Sequence, residues 1–460
     1  SRPDRRAGLF GDRTGLHDGT MSQHGSKTSR RRPPDPAQVR IDRVGSEGDG
    51  IARLPDGTPL YLPFTLPGET VAARPLQPRG DGWHAFADTI VSADANARVD
   101  PPCRHFGRCG GCVLQHWRDA DYRAWKVGLV SYALRQAGFT PPDPLPCVPG
   151  LPGERRRIDF AVRRAAGRIV LGLHEQRSAE VVDITDCLVL HPTLMALMGP
   201  LRTLLQGLRA IRREASVAIN LLDSGPDLLL RTDAPLTLED RTALTGFAND
   251  HGLPRVSHVE GNDAPETIGL LRPPVTMLSG ITVRPPPGVF LQATAEGESA
   301  IVEAVLRGMP GKITSKTRVA ELYAGCGTLT FALAGVVRVA AFEGDAATVA
   351  AVRQAINQGG VAGRIEAFQR DLARQPLSAK ELGAFAAVVL DPPHGGAAAQ
   401  IGQIAAAGVS TVVYVSCNPA TLSRDARMLA AAGYRLASAT AIDQFLWSAR
   451  VESVSVFRRG

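Results

Sequence analysis

The chain has 460 residues, 44% of them hydrophobic, and a formal net charge of +7. At about 150 residues per domain that length predicts roughly three domains rather than one core. No apolar run approaches the roughly 18 residues of a membrane helix, and no apolar signal core follows the N-terminal arginines, so the sequence predicts a soluble, cytoplasmic protein with no membrane partner.

Residues 1–36 carry eight basic against four acidic side chains, leaving only +3 for the rest of the chain. Rich in Arg, Gly, Ser, Asp and Pro without periodicity, this stretch is predicted to be a disordered basic tail, or a solvated leader ahead of a start at Met21. Charge alone therefore argues only weakly for a nucleic-acid partner. From 37 to 95, short alternating segments ("AQVRIDRV", "PLYLPF", "TVAARPL", "HAFADTIV") are broken by Gly and Pro about every ten residues, which predicts a small antiparallel barrel. The segments "GSEGDGIARLPDG" and "FTLPGE" resemble the TRAM domain, an OB-like RNA-binding barrel of RNA-modifying enzymes.

Residues 96–288 read as a central α+β domain, with a helix near 119–137 and strand-like runs such as "RIDFAVRRAAGRIVLGLH" and "DLLLR". Here "PPCRHFGRCGGCVLQH" gives Cys103, Cys109 and Cys112 in the spacing C-x5-C-x2-C, and "VDITDCLVLHP" adds Cys187. Nothing marks the chain for export, so four thiols suit a metal better than disulfides, and the spacing leaves zinc and an iron–sulfur cluster both open. Gly110 and Gly111, which would let backbone wrap a bulky cubane, favour iron–sulfur. Radical enzymes that open S-adenosylmethionine (SAM) on a cluster use C-x3-C-x2-C, which this spacing is not. Cys147 and Cys326 lie outside the motif and read as bystanders.

After the break at "RPPPG" (284–288), residues 289–460 alternate strands with helices ("RVAELY", "VVRVAAF", "FAAVVL", "TVVYVS", "VESVSVF"), the pattern of an α/β sheet. "VAELYAGCGTLT" (319–330) is a strand, a turn with Gly325 and Gly327, and a helix start. Glycines there allow a ligand to approach the backbone, and Glu343, ending the next strand, can accept both hydroxyls of a ribose. With no third glycine of the dinucleotide fingerprint and no Walker lysine, SAM fits better than NAD or ATP. "VVLDPPH" sets Asp391 at the end of the fourth strand, as active-site wall or as a rigid turn. Cys417 in "VVYVSCNPATLSRD" reads, from that peptide alone, as a small buried hydrophobe or a nucleophile.

Together the cysteine quartet, "FLQAT", "ELYAGCGTLT", "AAFEGD", "LDPPHGGA", "VVYVSCNPATLSRD" and "RVESVSVF" make residues 37–460 resemble the RNA uracil-5-methyltransferases, SAM-dependent enzymes that make 5-methyluridine in ribosomal or transfer RNA. The resemblance implies a multi-domain α/β protein: an OB-like TRAM barrel, a central α+β domain holding a [4Fe-4S] cluster on Cys103, Cys109, Cys112 and Cys187, and a Rossmann-like SAM-dependent methyltransferase domain at 289–460. It implies that Gln292, Tyr323, Glu343 and Asp391 line the SAM pocket, that Cys417 is the nucleophile and Glu452 the base, and that Asp371 flanks the adenine. It further implies a monomer acting on RNA, 23S rRNA ahead of tRNA because the TRAM barrel and cluster domain belong more to the ribosomal branch. The chain departs from the family pattern at Thr294, usually Asn; at His394, often Arg; and at Phe445-Leu446-Trp447-Ser448, in place of a Phe-Pro-His-Thr run.

The chemistry requires these residue types. Uracil C5 is too weak a nucleophile to take a methyl group until a thiolate adds at C6 and turns the ring into an enolate, after which a base must remove the C5 proton. A target base must be flipped out of folded RNA and stacked, a role open to Trp447 and Phe445. Two other readings remain on sequence: an N-methyltransferase, against which His394 stands where an aromatic residue usually follows Asp-Pro-Pro, and an inactive RNA-binding relative, against which Cys417 and Glu452 stand.

Overall fold

The computed structural model describes residues 32–93, 97–314 and 316–460, so the expected tail lies almost wholly outside the described residues. The chain divides into two compact units, one formed by residues up to 102 with 113–121, the other by 103–112 with 122–460.

In the first unit the predicted segments become the strands Ala37–Arg40, Arg43–Val44, Pro59–Leu62, Thr70–Arg79 and Gly82–Ser92, and Gly50–Arg53 adds one that the periodicity does not show. Ala37–Arg40 pairs with Thr70–Arg79 at one end of the sheet and Arg43–Val44 with Gly50–Arg53 at the other. Only two residues separate these strands, and the Asp42 N–H donates to Ile51 O at 2.8 Å, so the sheet returns on itself. Its inward side chains include Val39, Ile41, Leu60, Leu62, Val71 and Trp83. Gly50 is required for closure: a Cβ there would stand 2.0 Å from Thr65 Oγ1.

The second unit carries two sheets. Seven strands in the order Val181–Asp183, Arg168–His174, Arg157–Ala165, Glu214–Leu222, Gly225–Thr232, Arg255–Glu260 and Glu266–Leu270 form the central sheet, antiparallel but for one parallel pair, 225–232 with 255–260. Its apolar face packs on the helices Met198–Gly207 and Leu238–His251 through Leu201, Leu205, Leu244 and Phe247.

The larger sheet has eight strands in the order Ile365–Gln369, Arg338–Glu343, Arg318–Leu322, Ala387–Leu390, Thr411–Ser416, Glu452–Arg459, Tyr434–Ile442 and Cys147–Val148. Glu452–Arg459 alone runs antiparallel to both its neighbours. Successive residues of a strand point to opposite faces, and the core obeys this: Val319, Val339, Val389, Val413 and Val454 face one apolar layer, whereas Ala320, Ala340, Val388, Val412 and Tyr414 face the other. The first layer is closed by Ala295–Arg307 and Ala346–Gln358, the second by Ala398–Ala407 and Pro419–Ala431.

Residues 122–148, counted with the central domain on sequence, supply the second layer as well. The helix Asp119–Gln136 contributes Val130, Ala133 and Leu134 to it, and Cys147–Val148 extends the sheet. The helix also buries a charge. Lys126, 0% exposed, donates from Nζ to Asp443 Oδ1 at 2.7 Å, to Phe445 O and to Arg450 O, while Tyr122 OH donates to Asp443 Oδ2 at 2.6 Å. Burial pulls the ammonium's pKa down and the Asp443 carboxylate pulls it back up. Among the described residues no helix is long and apolar enough to cross a membrane.

Removing one member of a buried ion pair leaves the other uncompensated, at about 3–5 kcal/mol. Lys126→Met should therefore lower the second unit's unfolding free energy, read from urea titration, by that order, and Lys126→Met with Asp443→Leu should recover part of it. A single variant as stable as the parent would show that the pair holds nothing.

Candidate active site

At the C-terminal edge of the larger sheet, Arg318–Leu322 ends in a sharp turn. Tyr323 has φ 63°, a left-handed conformation that costs a non-glycine residue energy, and Gly325 and Gly327 follow with φ 53° and 95°. The turn is held by Glu343 at the end of the adjacent strand, whose carboxylate accepts from the N–H groups of Gly325 (2.9 Å), Gly344 (2.7 Å) and Asp345 (2.9 Å). Burial, with Asp425 and Asp371 nearby, pushes the Tyr323 hydroxyl up to about 12. Asp371 accepts from the Ala373 and Arg374 N–H groups in an exposed turn that starts where Arg370 N–H bonds Glu343 O.

Next to this turn, the buried Gln292, Gln444 and Glu452 and the half-buried Asp391 form one hydrogen-bonded row. Gln292 Nε2 donates to Asp391 Oδ2 at 3.1 Å, Gln444 Nε2 donates both to Gln292 Oε1 at 2.8 Å and to Glu452 Oε2 at 2.9 Å, and the Ala293 N–H donates to Gln444 Oε1 at 2.9 Å. The other Glu452 oxygen, Oε1, is buried without a hydrogen-bond partner among the described residues. Burial raises the Glu452 carboxyl well above its ordinary value, and the Asp391 charge raises it further, against the Gln444 hydrogen bond. Asp391 is pushed up to about 6 by burial, against the bond from Gln292. Glu321, one residue before the end of its strand, is pushed up to about 8 by burial with Asp391 and Glu343 nearby. Four carboxyl groups thus gather at one edge, an arrangement that favours a cationic ligand.

Cys417 follows the strand Thr411–Ser416 and precedes Asn418, which caps the helix Pro419–Ala431 by accepting from the Ala420 N–H at 3.0 Å. Its Sγ stands 3.8 Å from His394 Nδ1. Burial pushes the thiol up to about 12, Glu452 and Asp391 add to that, and Arg450 opposes it. A thiol so placed needs help to ionise. Thr294 caps Ala295–Arg307 through the Gly297 N–H at 2.9 Å, a role that Asn would also fill.

The structure therefore gathers Gln292, Asp391, Cys417 and Glu452, with Tyr323 on the adjoining turn and Glu343 at the end of the strand that holds it. Gln444, Glu321 and the contact of His394 with Cys417 escaped the sequence reading. Gln444 had a signal only in its place beside the 445–448 departure. Phe445 and Trp447 are half-buried; Trp447 has φ 59° and donates its N–H to Tyr122 OH.

Residues 284–459 match the tRNA (Uracil-5-)-methyltransferase family and residues 37–74 the TRAM domain. An RNA methyltransferase of Rhizobium meliloti is 38% identical over 92% of this chain and 99% of its own length. The 23S rRNA (uracil(1939)-C(5))-methyltransferase of Alkalilimnicola ehrlichii is 35% identical over 94% of this chain and 98% of its own. The chain belongs to the RNA uracil-5-methyltransferase family. It is an RNA methyltransferase, with a TRAM domain at 37–74. In fold it resembles the tRNA (uracil-54, C5)-methyltransferase of Pyrococcus abyssi, solved with S-adenosyl-L-homocysteine, at TM-score 0.66 and 19% identity over 92% of this chain and 100% of that one.

The methyltransferase's four motif cysteines lie in one neighbourhood. Burial first, then the charges of Cys187 and Cys103, raise Cys109, and Cys187 is raised by burial with Cys103 nearby. Cys112 and Cys187 both act on the Arg155 charge. Arg104 and His105 pair with Asp186 at 3.3 and 3.0 Å, drawing the two cysteine segments together. Among the described residues, no three His, Cys, Asp or Glu side chains stand close enough to hold a single metal ion. Four thiols are nonetheless the donor set that an iron–sulfur group takes. The Gly111 N–H donates to Cys109 Sγ at 3.4 Å, and a Cβ on Gly111 would stand 3.5 Å from that sulfur. Gly110 is needed for another reason than wrapping a cluster: a Cβ there would meet His174 O at 2.8 Å.

Because burial pushes Glu321 up to about 8 in the folded chain, from about 4.5 when exposed, the native state holds the extra proton between those values. Stability from this group is therefore present below about pH 4.5 and is lost as pH rises through about 8. Melting temperature should fall from pH 5 to pH 8.5 in the ligand-free enzyme, and Glu321→Gln should flatten that fall. An unchanged slope would place the titration elsewhere.

Proposed function

We propose that this enzyme transfers a methyl group from SAM to C5 of a uridine in structured RNA, most specifically 23S rRNA, through a covalent bond between Cys417 and C6. The observation that carries the reading is the joint presence, at one sheet edge, of a thiol and an unpartnered buried carboxylate oxygen on Glu452.

Glu343 accepts the ribose hydroxyls of SAM beside the Gly325–Gly327 turn, Asp371 flanks its adenine, and Tyr323, Gln292 and Asp391 line the remainder. The four carboxyl groups complement its sulfonium and ammonium charges. SAM supplies the methyl group. Cys417 adds to C6, making C5 nucleophilic, and Glu452 Oε1 takes the C5 proton after transfer so that the thiol can leave. Gln444 holds the opposite oxygen of Glu452 and so aims the free one. The six-stranded sheet of residues 37–92 and the TRAM match support an RNA grip; 23S rRNA is favoured by the activity of the Alkalilimnicola relative, whose similarity covers nearly the whole chain. Cys103, Cys109, Cys112 and Cys187 would hold a [4Fe-4S] cluster.

Cys417→Ala should bind SAM and RNA yet form no adduct. Glu452→Gln should add and methylate but fail to eliminate, leaving a protein–RNA band that survives denaturing gels only when SAM is present. Normal turnover by either variant would remove that residue from the reaction. Activity on 23S fragments but not on tRNA transcripts is expected; the reverse would reassign the substrate to tRNA. Protein purified without air should be brown with about four irons per chain, whereas stoichiometric zinc without visible absorbance would sink the cluster.

A further inference from the structure

Cys417 faces an electrostatic obstacle. The thiol is half-buried beside Glu452 and Asp391, both of which oppose a negative sulfur, and Arg450 alone among the neighbouring charges favours one. Losing the proton to solvent would add a net negative charge to a site already rich in carboxylates. Passing it to a neutral base within the site leaves the local charge unchanged and replaces a lone buried thiolate with an ion pair.

We propose that His394 is that base, a catalytic residue that takes the Cys417 proton on Nδ1 before sulfur attacks C6. Four observations converge. Nδ1 stands 3.8 Å from Sγ. The ring is fixed rather than dangling: Asn418 Nδ2 lies 3.3 Å from its Nε2 and donates to the His394 carbonyl at 3.1 Å. The loop beneath is cinched to the helix that follows Cys417, with Ala397 N–H donating to Asp425 Oδ2 at 2.7 Å and Arg424 to Gly395 O at 2.9 Å; Gly396, at φ 75°, has no room for a Cβ between Arg424 and Asp425. Asp425 is itself buried and also accepts from Tyr414 OH, so the loop and the strand leading to Cys417 share one anchor. Finally, Arg450 Nη1 lies 2.9 Å from both ring nitrogens, and because a guanidinium only donates, that contact requires a ring nitrogen that carries a lone pair.

The proton balance closes. The S–H proton moves to Nδ1, and the sulfur pair forms the bond to C6 while the C5–C6 π electrons pass into the enolate. C5 then takes the methyl group of SAM and S-adenosylhomocysteine leaves. Glu452 takes the C5 proton, the C6–S bond breaks with its electrons returning to sulfur, and His394 gives its proton back. Glu452 finally releases one proton to water. The groups that set the pH dependence are therefore His394, Cys417, Glu452, Asp391 and Arg450.

This inference rests on Cys417 being the nucleophile, so the experiment separates the two. Alkylation of Cys417 by iodoacetamide, without SAM or RNA, is followed from pH 5.5 to 10 by mass spectrometry of its peptide. The parent enzyme should show a reactivity step below pH 8 in addition to a high one, and Glu452→Gln should keep it. His394→Gln should lose the lower step and react at least tenfold more slowly at pH 7. His394→Arg, which keeps a positive charge but cannot accept a proton, should lose the lower step too while its upper step moves down. Adduct formation with 5-fluorouracil-substituted RNA should slow at least tenfold at pH 7 in His394→Gln and recover at pH 9. A parent enzyme with only the high step overturns the proposal without recourse to any variant. A His394→Gln enzyme with the parent's profile and adduct rate, while Cys417→Ala forms no adduct, overturns His394 alone; full turnover by Cys417→Ala overturns the nucleophile and this proposal with it.

Discussion

The buried pair between Lys126 and Asp443 is the interaction on which the active-site edge depends. Residues 443–450 have little regular structure, yet they supply Gln444, which bridges Gln292 and Glu452, and Arg450, which lies against His394. A loop of this kind would ordinarily wander at the surface. Here one ammonium group collects a carboxylate at its start and backbone carbonyls at Phe445 and Arg450, while Tyr122 OH donates to the same carboxylate and receives the Trp447 N–H. The helix that provides Lys126 and Tyr122 belongs with the candidate active-site edge for that reason, although it ends about 180 residues before the strand Arg318–Leu322 in the chain.

Around this anchor the sheet does what an open α/β sheet does, bringing functional side chains to the carboxyl ends of its strands. Glu343, Asp391 and Cys417 each sit at or just past such an end. Glu452 is different: its strand runs antiparallel, so its first residue, not its last, reaches the same edge. Reversal of one strand is what sets a carboxylate opposite a thiol that comes from the neighbouring strand.

What was legible in the sequence follows from this geometry. Residues at strand ends announce themselves because an apolar run stops and a Gly, Asp-Pro or Cys-Asn-Pro follows, which is how the turn at 323–327, Glu343, Asp391 and Cys417 were found. Gln444 carries no such mark, for its meaning comes from Gln292, 152 positions away. Glu321 hid inside an apolar strand, where its alternation is that of a core residue, and Lys126 looked like any basic side chain on a helix. Cys147–Val148 is too short to show a period, and Ile365–Gln369 lies at the sheet's edge, where exposed positions dilute the apolar run. The cysteines carry a mark in their spacing, whereas the reason for Gly110 does not show in the sequence, because the atom it spares is a carbonyl of the central sheet.

The same low-dielectric edge that makes Glu452 a strong base makes Cys417 a reluctant acid, and both follow from burial among carboxyl groups. A cation entering the site reverses the sign of that environment. On the proposed reading the sulfonium of SAM favours the ionised forms of Cys417, Asp391 and Glu452 together, so that the ligand which brings the methyl group also lowers the cost of creating the nucleophile. By linkage, protons held on those groups must oppose the binding of that cation to the same extent. On the same reading, an imidazole that takes the thiol proton adds what a cation cannot, a place for the proton that does not change the charge of the site, and this is why the two effects are complementary rather than redundant.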